Sequence, residues 1–196
     1  LDYWNSPNTG ATNEVGFNAR GAGYRIYNTG VFYNIKNSGS LWTADEYDED
    51  QSYIAGLWWL GGNLNLTQAY DVKGGLSIRL VRAATEAEQA LADGTTCDDY
   101  VGNDGKIYPT VKIGTQVWLA ANLAETLYND SSPIPVVTDN AAWAALVTGA
   151  MCYYDNDIDN GYTGSSSEEN YNLVYNEVTD SFTSFYSFYP EYVINY

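Results

Sequence analysis

Residues 106–119 constrain the fold of this chain more than any other stretch. Ile107, Val111 and Ile113 fall at odd positions and share one face of an extended segment. Gly114-Thr115-Gln116 turns the chain, and Val117-Trp118-Leu119 returns. This pattern predicts a β-hairpin and commits the chain to a sheet. The alternation recurs at Leu76, Ile78 and Leu80, which interleave with Ser77 and Arg79 after Gly74-Gly75 and predict a strand with one buried face. Asn5-Ser6-Pro7-Asn8-Thr9-Gly10 is a turn cluster. With 19 Tyr, 6 Trp and 5 Phe, the composition suits a β-rich, turn-rich fold.

Two segments have helical grammar. Residues 83–93 are strong helix formers followed by Gly94; they predict an exposed, acidic helix of about three turns. Residues 139–148 predict a short helix with Asp139 as N-cap, Trp143, Leu146 and Val147 on one face, and Gly149 as its stop. The expected class is therefore α+β, dominated by β, with short helices and long loops.

Charge narrows the partners. The net charge is −17 and the pI near 4.1, so nucleic acid and anionic membranes are repelled. All eight basic residues (Arg20, Arg25, Lys36, Lys73, Arg79, Arg82, Lys106 and Lys112) precede position 113. The rest of the chain carries only acids and calls for cations, a basic partner or open exposure. Histidine is absent, which removes the commonest general base and the commonest transition-metal ligand. Two cysteines cannot by themselves complete a tetrahedral zinc site. No run is long or apolar enough to span a membrane, and no signal peptide is seen. The sequence begins at Leu1 rather than Met, as expected of a processed product or a piece of a longer protein.

Three clusters are candidates for chemistry. Asp155, Asp157 and Asp159 alternate in Asp155-Asn156-Asp157-Ile158-Asp159-Asn160-Gly161, as oxygen ligands of a Ca²⁺ loop do. The EF-hand pattern is excluded, because Asn160 and Ser166 stand where it needs Gly and Glu. The alternative is a solvated acidic turn. No motif requires a cofactor, and Ca²⁺ is the one candidate. Asp45-Glu46-Tyr47-Asp48-Glu49-Asp50 is a second acidic cluster. Paired carboxylates hydrolyse glycosides, but this crowding is the mark of an exposed charged loop. No nucleophile elbow, phosphate loop or dinucleotide fingerprint occurs. The third cluster is aromatic: Tyr24, Tyr27, Tyr33, Trp42, Tyr53, Trp58 and Trp59. Such rings stack on sugars and anchor interfaces. The alternative places Trp42 and the Trp58-Trp59 pair in the core. Strand alternation requires one of Trp58 and Trp59 to face inward and the other outward.

Gly102-Asn103-Asp104-Gly105-Lys106-Ile107-Tyr108, Val111-Lys112-Ile113-Gly114, Gln116-Val117-Trp118-Leu119, Asn122-Leu123, Tyr128-Asn129-Asp130 and Pro133-Ile134-Pro135 together resemble the start of the Fibrobacter succinogenes major paralogous domain. Gly16-Phe17, Gly23-Tyr24-Arg25, Gly30-Val31-Phe32, Leu41-Trp42 and Gly75-Leu76-Ser77-Ile78-Arg79-Leu80-Val81-Arg82 resemble the end of the same domain. The family's middle segment, with its Gly-Trp-His-Val-Pro-like helix start, is missing. The resemblance implies residues 1–82 as the C-terminal part of a C-type-lectin-like module, 83–96 as a helical linker, 97–162 as the N-terminal part of a second module, and 163–196 as an acidic, Tyr-rich tail. Three readings stay open: a truncated second repeat after the end of a first, two halves that complement each other as a permuted domain, or a missing part supplied by a neighbouring subunit. Cys97 and Cys152 flank the second match; they form either a disulfide worth roughly 4 kcal/mol or two free thiols. The tail from Tyr171 onward weakly resembles segments of phage structural proteins. Phe182-Thr183-Ser184-Phe185-Tyr186-Ser187-Phe188-Tyr189 is expected in sheet or at an interface, and Gly164–Asn170 as a polar loop.

The family is a display scaffold of bacterial surfaces and virions, and its late region bears the ligand surface. The resemblance therefore implies a non-enzymatic, non-catalytic structural or display protein of a virion, a fibre or head/tail component acting in adhesion or assembly on the virion surface or outside the cell. A secreted or cell-surface bacterial adhesin or carbohydrate-binding module is the alternative, and a glycoside hydrolase the outsider. The expected partners are other structural subunits and a cell-surface glycan or protein, in a homo-oligomer without membrane insertion.

Overall fold

The computed structural model describes residues 3–157 and the backbone of 173–176. It is β-dominated, with two short α-helices among the described residues. The first half supplies β1 (Ala22–Arg25), β2 (Phe32–Ile35), β3 (Ser38–Asp48), β4 (Gln51–Trp58) and β5 (Gly61–Asp71). They form one sheet in the order β2-β1-β3-β4-β5. The pairs are antiparallel except β1 with β3, which run parallel. A second sheet contains β6 (Val81–Ala83), β7 (Thr96–Val101), β8 (Ile107–Ile113) and β9 (Gln116–Leu119) in the order β6-β9-β8-β7. A two-stranded ribbon pairs β10 (Ala150–Tyr153) with β11 (Leu173–Asn176). The tail thus contributes at least one strand, while 164–170 and 182–189 lie outside the described residues.

The 106–119 hairpin forms as expected, with Ile113 opposite Gln116 across the turn. Its buried face is not the one the odd positions predict. Tyr108, Thr110, Val111 and Lys112 are buried and Ile107 is exposed. Lys112 is tolerated inside because its ammonium donates to Leu91 O and Asp93 Oδ1, each at 2.8 Å.

The 76–80 segment is a second correction. Leu76, Ile78 and Leu80 are buried, but so are Ser77 and Arg79. It runs between the two sheets and touches protein on both sides, making single bridges (Leu41 with Ser77) rather than a ladder. The predicted three-turn helix shrinks to α1 (Glu86–Gln89). Thr85 and Glu88 form a reciprocal capping box, and Arg82 binds Glu88 at 2.6 Å. No residue of α1 is buried, so nothing packs to extend it. Helix α2 (Asn140–Ala144) starts where expected: Asp139 accepts from Ala142 N at 2.7 Å. Trp143 is buried and Leu146 packs beside it, but Val147 is exposed, because the helix ends before reaching it.

The boundaries at 82 and 97 do not separate two cores. Trp42, Ile54, Leu76, Ile78 and Leu80 share one cluster with Tyr108, Val111, Trp118, Leu123, Ile134 and Met151. The edge strand β6 of the second sheet begins at Val81, so that boundary cuts a ladder.

Two buried arginines bolt the halves together. Arg25 donates from Nε to Gly30 O (2.8 Å), then crosses to Val137 O (2.7 Å), Thr138 O (3.0 Å) and Asn140 Oδ1 (3.0 Å). Its guanidinium lies over the rings of Phe32 and Trp143. Arg79 donates to Asn122 Oδ1 (3.0 Å), Leu119 O (3.1 Å), Asn18 O (2.8 Å) and Phe17 O, and covers the Phe17 ring. A rigid five-donor fork can satisfy several loop carbonyls at once, which a lysine cannot.

Candidate functional site

The seven aromatic candidates do not form one face. β-strand alternation puts Trp42 and Ile54, which are paired in register, on the inner face of the first sheet. Trp42 is 1% exposed and belongs to the core, so it is withdrawn as a ligand residue. Tyr53, next to Ile54, faces the other way and meets the exposed Tyr47 edge-on at 5.3 Å. Trp58 is exposed at the end of β4. Trp59 is half-buried in the β4–β5 turn, where its backbone bonds Asn37 and Thr9. Neither tryptophan is core, because the strand ends between them and alternation no longer applies.

Tyr24, Tyr27 and Tyr33 do converge, around a residue the sequence reading missed. Tyr70, near the end of β5, meets Tyr24 (5.9 Å, edge-on), Tyr27 (6.1 Å, edge-on) and Trp42 (6.3 Å, tilted). Tyr24 and Tyr33 are directly opposite in the β1–β2 pair and stack at 6.2 Å. The result is a ramp of rings. Trp42 is its floor, Tyr24, Tyr27 and Tyr70 are half-buried, and Tyr33 is 45% exposed. Asn34 Nδ2 donates to the Tyr24 hydroxyl at 3.4 Å. The turn carrying Tyr27 adds Asn28 and Thr29 at the surface. Burial, and then the neighbouring Tyr24, Tyr27 and Asp71, push the Tyr70 phenol far above its ordinary pKa. It remains a neutral donor throughout the physiological range.

Backbone geometry fixes the ramp. At Gly74 a Cβ would lie 2.1 Å from Tyr70 Cε1, so the ring rests directly on the chain. Gly30 closes the Tyr27 turn at φ +66°, and a Cβ there would strike Asn140 O at 2.4 Å. The second half supports the same site: Trp143 Nε1 donates to Lys73 O at 3.0 Å, and Arg25 holds Gly30 O. The local sequence signal for Tyr70 is the Gly74-Gly75 pair that follows it; its partners are 28 and more residues away in sequence.

The acidic candidates behave differently. Tyr154–Asn156 is a 3₁₀ turn with Asp155 at φ 53°, and Asp155 and Asp157 are exposed. Asp159 lies outside the described residues. Among the described residues no three His, Cys, Asp or Glu side chains are gathered as a metal site would need. Asp45–Asp50 sits at the β3–β4 hairpin end, largely exposed. Cys97 and Cys152 are not joined to each other, which corrects the disulfide alternative. Cys97 lies on β7, whereas Cys152 is sealed on β10 beside Trp143 and Ala150. Burial pushes the Cys152 thiol up to about 11. Alkylation of the native chain is therefore expected to label Cys97 first, with Cys152 labelled only in denaturant; simultaneous rapid labelling contradicts the packing.

One further carboxyl pair is buried. Glu125 Oε2 accepts from Asp104 N at 3.2 Å, and Gly102 is required beside it, since a Cβ there would lie 1.5 Å from Glu125 Oε1. Burial first, then the Asp104 charge, raise the Glu125 pKa. Asp104 is itself partly buried, but hydrogen bonds from Lys106 and Thr126 hold it below the usual range. Glu125 is 2% exposed and the adjoining Tyr108 is fully buried, so the Glu125 carboxyl is closed off from solvent. Its effect is on stability. A carboxyl with a raised folded-state pKa contributes most below its unfolded pKa, and that contribution is lost as pH rises through the folded value. Glu125→Gln should therefore flatten the fall in stability above about pH 4.5, measured by denaturant melts across pH. An unchanged profile contradicts this environment.

In comparisons with protein-family models, curated proteins and solved structures, nothing matches this chain.

Proposed function

We propose that the protein is a non-catalytic, C-type-lectin-like display module of a virion, acting in adhesion or assembly through the Tyr24–Tyr27–Tyr33–Tyr70 ramp. The observation that carries this reading is the ramp itself: three half-buried rings and one exposed ring in edge-on and stacked contact, flanked by Asn34, Asn28 and Thr29. Ring faces bind the C–H faces of sugars, and hydroxyls and amides bind their hydroxyls. The rings are held by each other and by Trp42, so little rotamer entropy is lost on binding. The ligand class is a neutral or cationic surface glycan, because an acidic one would be repelled by the net charge of −17.

Glycan-array binding followed by titration tests the reading. Tyr33→Ala and Tyr27→Ala should each weaken binding about tenfold or more, since removal of a stacked interface aromatic costs more than 1 kcal/mol. Tyr47→Ala, on the opposite face, should leave it unchanged. Equal affinity in all three variants rejects this site.

A further inference from the structure

From Gln51 to Tyr70 the chain carries no charged residue, although it holds 25 acids and 8 bases overall. This segment is β4, its turn and nearly all of β5. β5 is the edge of its sheet, and Gly62–Gln68 are exposed. Trp58, Leu60, Leu64 and Leu66 are all between 41% and 53% exposed. Soluble proteins usually blunt a long edge strand with lysine, proline, inward charge or a bulge; β5 has no lysine, proline or charge before Asp71, and its β4–β5 register shifts on both sides of Asn65. One N–H is satisfied locally, because Thr67 N donates to Asn65 Oδ1 at 3.0 Å where the β4–β5 register shifts.

We propose that this uncharged β4–β5 hairpin is a self-association surface, seated against the same hairpin of a second copy about a twofold axis. Two observations select a second copy. The surface of a chain at −17 repels its own copies, so association between copies is confined to a patch without charge; this hairpin is such a patch. The sequence around Asn65 is also self-complementary. An antiparallel approach centred there sets Leu64 of one copy opposite Leu66 of the other, twice, and Asn63 opposite Thr67. Isologous contact of this kind closes as a dimer and leaves no edge for further growth. The tyrosine ramp lies around β1, β2 and the far end of β5 from Leu64, so a dimer presents two copies of it. The proposal does not depend on what the ramp binds.

Sedimentation velocity of the full chain over a concentration series tests it. The wild type should dimerise, more tightly as salt screens the acidic surface. Leu64→Lys/Leu66→Lys should raise the dissociation constant about 100-fold or more, because four like charges then meet at the seam. These positions are exposed, so at concentrations where both are monomeric the variant should melt like the wild type. Tyr47→Lys is the control and should still dimerise. A monomeric wild type overturns the proposal, as does an oligomer that survives the double substitution.

Discussion

Replacing Arg79 with methionine is expected to cost about 3–5 kcal/mol of folding stability. The substitution keeps most of the buried aliphatic volume and removes the fork. It leaves the carbonyls of Phe17, Asn18 and Leu119 and the amide oxygen of Asn122 without that donor. Each buried acceptor so orphaned costs about 1–3 kcal/mol, offset in part by relaxation and water entry. The loss is a large share of the ~5–15 kcal/mol that holds a domain together. Arg79→Lys should recover only part of it, since one ammonium cannot reach four acceptors placed around a planar fork. Arg82 provides the contrast. Its side chain is 39% exposed and pairs with Glu88, so Arg82→Met should cost no more than about 1 kcal/mol. Chemical denaturation compares the three; equal costs at 79 and 82 contradict the buried clamp.

Replacing Arg25 with methionine is expected to be comparably destabilising, at about 3–5 kcal/mol, and to weaken the tyrosine ramp as well. Its fork holds Gly30 O, Val137 O and Thr138 O together, and it sits over Phe32 and Trp143. Without it the Tyr27 turn loses its anchor to the second half. Affinity for the proposed glycan ligand should therefore fall in the folded fraction even though Arg25 is fully buried. A stable Arg25→Met chain, or a destabilised one with undiminished affinity, contradicts this coupling.

The sheet hairpin, the Asp139 cap and the β-dominated character of the fold were legible because each rests on local grammar: alternation, a turn, a capping side chain. The buried roles of Arg25 and Arg79 were not. Charge suggests the surface, and what reverses that preference is a set of carbonyls 40 to 113 residues away. Helix formers at 83–93 likewise mislead, because propensity without a packed face supports only the four residues that the Thr85–Glu88 box closes. Among the aromatics, sequence identified three of the ramp's four rings and missed Tyr70, whose importance comes from the β5 register. Trp42 was misplaced because composition cannot say which side of a strand is covered.

The first half of the described chain and residues 97–157 form one body with a shared core and two arginine clamps. The most direct test is a single proteolytic nick between Ala84 and Gly94, followed by gel filtration without denaturant. The two fragments should co-elute, separate only in denaturant, and unfold in one transition by tryptophan fluorescence and circular dichroism. Fragments that part into two independently soluble, independently melting halves would contradict it.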